Sequence, residues 1–430
     1  MKKVLIVTYY WPPGGGSGVQ RWLKFSRYLP EYGWQPIIFT VDNPQYQLND
    51  ESLQEETLSG IEVHRLKAFD PNDIYNKWFG STIGKPNIGF TSTKKESMAF
   101  KLVKWIRGNW FIPDSRIFWV NPASRKIIQL HEQHHFDAMI TTGPPHSLHL
   151  IGKKVAAKTG LRWIADFRDP WTEIYYFDAM KPSVRSRRKH LELEKSVLQS
   201  ADQIVVVGKT MKKMFAIHTP KPICVITNGY DHEDYEKTEA IHAYNPETFI
   251  IGHIGVLSPT QNPHSLWQAL NKLIRENENF RKALRIELTG EVDHGILESI
   301  EEFGLKSYLS YTPYQPHKIA IAAQIRADVL LLSINRVDNS EYLLTGKLFE
   351  YLGARRPILC IGPINGDAAG VISTTSAGST FHFDDIAGIK SHINSLFETH
   401  KTSEIHPRRS EITGFSRKIL TESLVNLLNG

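Results

Sequence analysis

The run Lys3-Val4-Leu5-Ile6-Val7-Thr8 is followed by Tyr9-Tyr10-Trp11-Pro12-Pro13, then by the small residues Gly14-Gly15-Gly16-Ser17-Gly18, and then by the amphipathic stretch Gln20 to Leu29. A short apolar run without alternation is a strand buried on both faces, and Pro and Gly punctuate it before a segment of helical period begins. A strand, a tight turn and a helix in that order open a parallel α/β sheet, because helices must cover both faces of such a strand.

The same grammar recurs along the chain. Further strands are expected at Pro36 to Val41, Ile61 to Arg65, Ala138 to Thr142, Trp163 to Asp166, Gln203 to Val207 and Cys224 to Thr227. A second series follows at Phe249 to Ile254, Leu284 to Thr289, Val329 to Ile334, Pro357 to Ile361 and Thr380 to Phe383. Two doubly wound domains are therefore expected, residues 1–235 and 247–410, with the polar, acidic stretch Asp231 to Pro246 as linker. The last amphipathic segment, within 411–430, is expected to cross back to the first domain. Residues 70–120 form an insertion. Within it, 98–112 combines a short basic amphipathic helix with Trp110-Phe111-Ile112, the composition of a segment at a lipid interface or of a helix packed on its own domain with its lysines solvated.

The 430 residues are 41% hydrophobic, 11% aromatic and 22% charged. That suffices for two cores of about 200 residues each and excludes disordered and collagen-like chains. Cys224 and Cys360 sit in strand-like runs and are expected as buried thiols of a reducing compartment. With no apolar run of membrane-spanning length, and Pro12-Pro13 interrupting the first run, the expectation is a cytoplasmic protein, with peripheral attachment to the inner face of the membrane left open. The net charge of +6 divides unevenly: residues 1–230 hold 32 Lys and Arg against 20 Asp and Glu, or +12, and the remainder carries −6. A basic half can face a membrane surface or a phosphorylated substrate; a nucleic-acid partner is not expected.

Gly15 and Gly16 lie where backbone amides and the positive end of a helix can receive an anion. The spacing is not that of a dinucleotide fingerprint, since Val19 stands at the third glycine position. His131-Glu132-Gln133-His134-His135 fits a metalloprotease zinc pattern, but it closes a helix rather than sitting mid-helix, so a solvated helix end is the reading and no metal site is assigned. His146, after Gly143-Pro144-Pro145, and Asp166, Arg168 and Asp169, in the next strand's loop, should emerge at one carboxyl edge, where doubly wound sheets bind ligands. Thr345, Gly346 and Lys347 open a helix and offer amides and an ammonium to a diphosphate, with Glu350 one turn on to accept from a ribose diol.

Read jointly, Tyr10-Trp11-Pro12-Pro13, Asp166 to Trp171, Thr227-Asn228-Gly229-Tyr230-Asp231, Gly255-Val256-Leu257 with Asn262-Pro263, and Lys347-Leu348-Phe349-Glu350-Tyr351 resemble the GT-B glycosyltransferases, specifically the family-4-like bacterial group. The resemblance implies two Rossmann-like domains facing across a cleft, with the acceptor on the first and a nucleotide-sugar donor on the second. It also implies metal-independent transfer, usually with retention, no cofactor beyond the donor, and a glycan or lipid-linked acceptor in surface polysaccharide assembly. On that basis Gly255, Gln261, Tyr314, Thr345, Gly346, Lys347 and Glu350 are donor-binding candidates. Asp166, Arg168, Asp169 and His146 are candidates for acceptor activation, with Asp166 or His146 as proton acceptor. The family pattern is departed from in two respects: Val256 and Gln261 stand near its usual diphosphate cations, and Tyr342 stands where its first glutamate would be. They keep two alternatives open, a nucleotide-sugar epimerase of the same architecture and an inactive membrane-associated partner subunit.

Overall fold

In the computed structural model the described residues are 1–44, 50, 60–69, 105–106, 108–236, 244–402 and 412–430. They form two compact units, divided between Thr227 and Asn228, with Leu420–Gly430 belonging to the first unit.

The first unit is built on seven parallel strands: β1 (Lys2–Val7), β2 (Trp34–Val41), β3 (Glu62–Leu66), β4 (Ala138–Gly143), β5 (Trp163–Phe167), β6 (Gln203–Val206) and β7 (Ile223–Val225), ordered β3-β2-β1-β4-β5-β6-β7. Side chains alternate across a strand, so β1 feeds two cores. Leu5 and Val7 pack with Phe39, Trp119, Ile151 and Trp163, while Val4 and Ile6 pack with Trp22, Phe25, Ile38 and Ile140. Leu420, Leu424, Val425 and Leu428 of the last helix complete the second of these cores.

The second unit has six parallel strands: β8 (Phe249–Ile254), β9 (Leu284–Thr289), β10 (Leu309–Thr312), β11 (Val329–Ser333), β12 (Ile358–Ile361) and β13 (Gly378–Phe381), ordered β10-β9-β8-β11-β12-β13. β10 has no counterpart among the expected strands. It is a short edge strand whose Ser310, Tyr311 and Thr312 are exposed, so it carries no apolar run to betray it. The acidic stretch expected as linker contains a short helix, His232–Glu236, that belongs to the second unit and buries Tyr235. Cys224 is only partly buried, whereas Cys360 is fully so, and both are free thiols.

Both sheets reverse their order beside their first strand, between β1 and β4 and between β8 and β11. The crevice outside the carboxyl ends at such a reversal is where doubly wound sheets receive ligands. Of the 98–112 segment, residues 98–104 and 107 lie outside the described residues. Among the described residues, no helix is long and apolar enough to cross a membrane.

Candidate functional site

In the second unit, β8 runs out into Gly255, whose φ of 122° is a conformation that side chains rarely adopt. A Cβ there would lie 2.5 Å from Cε of Lys347, so the missing side chain is what lets the lysine lie against the strand end. Lys347 is the second residue of the helix Gly346–Ala354, and its Nζ donates to the Val256 carbonyl at 2.6 Å. Burial pulls the ammonium down to about 8, against a smaller upward pull from Glu350. Beneath it, fully buried His253 stays neutral: burial first, and then Lys347, bring its pKa to about 3. Its Nδ1 lies 2.9 Å from the Leu331 carbonyl and its Nε2 3.4 Å from that of Val256, which assigns the proton to Nδ1.

No side chain caps the helix Gly346–Ala354, and at its N-cap the Thr345 hydroxyl is buried without a partner. A buried hydroxyl without a hydrogen bond costs about 1–3 kcal/mol, and this corner carries that cost beside an uncapped helix end. Glu350 is oriented from behind. Buried Gln324 donates to its Oε2 at 3.1 Å, and the Tyr235 hydroxyl lies 3.0 Å from Gln324 Oε1 and 2.8 Å from the Glu350 carbonyl. Tyr314 stands half-exposed beyond β10.

Gln261, expected among the donor contacts, is placed otherwise. Its Oε1 accepts from the backbone and hydroxyl of Ser258 at 3.0 Å each, and its Nε2 donates to the Ser333 carbonyl at 3.0 Å. The amide is engaged in closing a turn, its oxygen accepting twice and its nitrogen donating once to the chain itself.

In the first unit, the glycine loop and the two strand-end loops meet at Arg168. Its backbone N–H donates to Gly143 at 3.0 Å, its guanidinium reaches the carbonyls of Gly143 and Pro144, and it lies over the Tyr10 ring at 5.5 Å. A Cβ on Gly18 would fall 2.3 Å from Arg168 Nη1, so the loop needs a glycine there for the guanidinium to pass. Gly15 and Gly16 precede the helix Ser17–Tyr28, which no side chain caps, and Gly16 adopts φ 91°.

Of the expected proton acceptors, Asp166 is engaged internally, whereas His146 is packed against the fold and keeps a ring nitrogen without a partner. Asp166 is fully buried and its carboxylate receives four donors: Arg21 Nη2 at 2.8 Å, Arg21 Nε at 3.3 Å, Trp22 Nε1 at 3.0 Å and Thr142 Oγ1 at 2.8 Å. The His146 ring stacks on Trp171 at 5.0 Å, its pKa held well below the usual imidazole value by burial and then by His149, Arg168 and His190. Its Nδ1 is buried without a partner and lies 3.0 Å from where a Gly143 Cβ would sit. Asp169 differs from Asp166: it is half-buried, burial raises its pKa against the opposing pull of Arg168, and among the described residues its carboxylate has no hydrogen bond.

No family model matches this sequence, and no curated protein sequence does. Solved structures do resemble it along its whole length. HepE from Anabaena in complex with UDP superimposes with a TM-score of 0.62 at 12% identity, covering all of both chains. Sucrose-phosphate synthase from Thermosynechococcus elongatus gives 0.61 at 12%, covering 100% of this chain and 98% of its own. An α,α-trehalose-phosphate synthase (UDP-forming) from Burkholderia xenovorans, in complex with glucose-6-phosphate, gives 0.62 at 11%, covering all of both chains. The fold is GT-B.

In this GT-B chain, Arg21 and Gln324 do much of the positioning, and sequence reasoning passed over both. Arg21 had a signal: it shares a helical stripe with Lys24, Phe25 and Tyr28, and a charge on an apolar stripe must find a buried partner. Gln324 sits in a helix of ordinary pattern, and its role exists only where Tyr235 and Glu350 meet it.

Proposed function

We propose that the protein is a glycosyltransferase that moves a sugar from a nucleoside diphosphate sugar to a glycan or lipid-linked acceptor, with retention, in cell-surface polysaccharide assembly. The observation that carries the reading is the corner at Gly255, Thr345 and Lys347: a part-buried ammonium with no carboxylate bonded to it among the described residues, beside an uncapped helix end and an unpartnered buried hydroxyl. Transfer breaks the bond between the anomeric carbon and a diphosphate oxygen, and the departing diphosphate gains negative charge. Amides and a cation fixed beforehand stabilise that charge without reorganising. One lysine 4 Å from a phosphate contributes up to about 4 kcal/mol at an effective dielectric of 20. Gly346 and Lys347 supply amides, Lys347 the charge, Glu350 Oε1 an acceptor for the ribose, and the backbone near Tyr314 a contact for the base. The donor is a substrate, and the reading invokes no cofactor or metal. UDP is favoured over GDP as the nucleotide, because HepE was solved with UDP and with UDP-glucose, and the trehalose-phosphate synthase is UDP-forming.

On the first unit, Asp169 is the carboxylate assigned to the acceptor hydroxyl, since Asp166 is spent on the scaffold and burial depresses the basicity of His146. Arg168, held over Tyr10, positions an anionic acceptor group. Peripheral membrane contact through the region of Trp105 and Trp110 is part of the same reading. The test is incubation with UDP- and GDP-sugars: slow release of nucleoside diphosphate is expected, and its loss in Lys347→Ala. Interconversion of the sugar without release would point to an epimerase, and no turnover of any donor would leave an inactive subunit.

A further inference from the structure

The first sheet's edge strand and the end of the helix Val120–His134 bring together Glu62, His64 and His134. Leu66 of β3 packs in the core containing Trp119, Val120 and Ile127, whereas Ile61 and Val63 pack in the other core. By alternation, Glu62 and His64 therefore face that helix, on the Leu66 side of the sheet. Glu62 Oε1 lies 2.6 Å from His64 Nε2 and 3.6 Å from His134 Nε2, and the three ligand atoms are all within 4.8 Å of one another.

His134 is anchored from outside the trio, and His64 packs against it in turn. The His134 ring stacks on Phe136 at 5.6 Å and 10°, and the His64 ring meets it edge-on at 5.4 Å. Lys3 Nζ donates to the His134 carbonyl at 3.0 Å, and the helix closes on His135, whose φ is 51°. That left-handed turn takes His135 off the helix, so the pair His131 and His135 cannot ligate as the zinc motif would have them. The remaining histidine of the segment, His134, is the one that reaches the strand.

We propose that Glu62, His64 and His134 bind a divalent transition metal ion of the zinc class, clipping the edge strand to the helix end. In a tetrahedral site with metal-ligand bonds of about 2.0–2.2 Å, ligand atoms stand roughly 3.3–3.6 Å apart. The distance to His134 already fits. The shorter one opens by rotation of the Glu62 carboxylate, which retains 37% of its exposure. Two imidazoles and one carboxylate favour Zn²⁺ or its neighbours over Mg²⁺ and Ca²⁺, which take oxygen ligands. The fourth position is left to water. A clip here ties down a strand that has a neighbour on one side only.

The experiment titrates Zn²⁺ into the chelator-treated full chain by calorimetry, with thermal unfolding followed in parallel and Co²⁺ substitution read by visible absorption. One equivalent should bind, the unfolding midpoint should rise, and Co²⁺ should show the intense bands of a tetrahedral site. In Glu62→Gln and His134→Gln that event should weaken at least tenfold. Both substitutions sit at the surface, and the unfolding midpoint without metal shows whether each variant is folded. The chain has 18 histidines, so weak background binding is expected. A stoichiometric event that survives in both variants, no such event in the parent protein, or an equal shift with Mg²⁺ would each overturn the assignment.

Discussion

The two sheets reverse their strand order in the same way, yet the buried cations beside the two reversals are used differently. In the first unit Arg21 is fully buried and spends its guanidinium on Asp166 and on the carbonyls of Ile226 and Thr227 at 3.0 and 2.6 Å. In the second, Lys347 bonds one carbonyl, while Glu350 on the next turn is committed to Gln324. Arginine cannot shed its proton, so burying it demands a carboxylate; lysine can, and at Lys347 burial outweighs the upward pull of Glu350. Topology makes a crevice twice, and the counterion decides which one is closed as scaffold; the other leaves its cation on a single carbonyl, as the proposed donor site requires.

The largest effect that would test this contrast is at the closed crevice. Asp166→Ala leaves Arg21 buried and uncompensated, and a loss of about 3–5 kcal/mol is expected in urea unfolding. A loss under about 1 kcal/mol would mean that the ion pair does not hold the first crevice shut. At the open crevice the order reverses. Lys347→Ala should leave folding stability nearly unchanged and cost about 1.5–3 kcal/mol of UDP affinity, roughly 10- to 150-fold in titration calorimetry. Unchanged affinity would remove Lys347 from the site.

A smaller effect sharpens the same point through pH. A bound diphosphate favours the ammonium, so Lys347, near 8 in the free protein, should titrate higher in the complex. Binding then takes up a proton above that value. UDP affinity should be flat below about pH 8 and fall up to tenfold per unit above it, until the pKa of the complex is reached. In Lys347→Ala the slope from this residue should vanish, and calorimetry at pH 7, 8 and 9 distinguishes the two.

The placement of the proposed donor residues at a helix start was legible beforehand because its signals are local. Thr345, Gly346, Lys347 and Glu350 lie within six positions, and a helix start fixes what such neighbours face. The first crevice was misread because its chemistry is distributed. Asp166 looked available in a loop rich in charge, but its donors come from residues 21, 22 and 142, and nothing near Asp166 announces them. Gln261 was misplaced for a related reason: a position inherited from a family pattern says nothing of whether the new side chain turns inward, and here Ser258 and Ser333 capture it. β10 escaped because an exposed edge strand needs no apolar run.

The smallest effect concerns the basic half and what it faces. Trp110 is 73% exposed and Val184 78%, and the two segments are tied together, since Asn109 Oδ1 accepts from the Ser183 N–H at 2.7 Å and its Nδ2 donates to the Lys181 carbonyl at 3.1 Å. Trp110 thus stands beside the run Arg185 to Lys189. Tryptophan next to basic residues suits an anionic lipid interface, where each cation near the surface contributes about 1 kcal/mol. Replacing Trp105 and Trp110 together by Ser removes exposed rings, so folding stability should move by no more than about 0.5 kcal/mol. Sedimentation with anionic vesicles should nonetheless fall, and more at high salt than at low, because the rings are the part of the contact that salt does not screen. If vesicle association is the same with and without them, the basic run acts alone or faces a soluble anion, and the asymmetry in charge belongs to the acceptor rather than to the membrane.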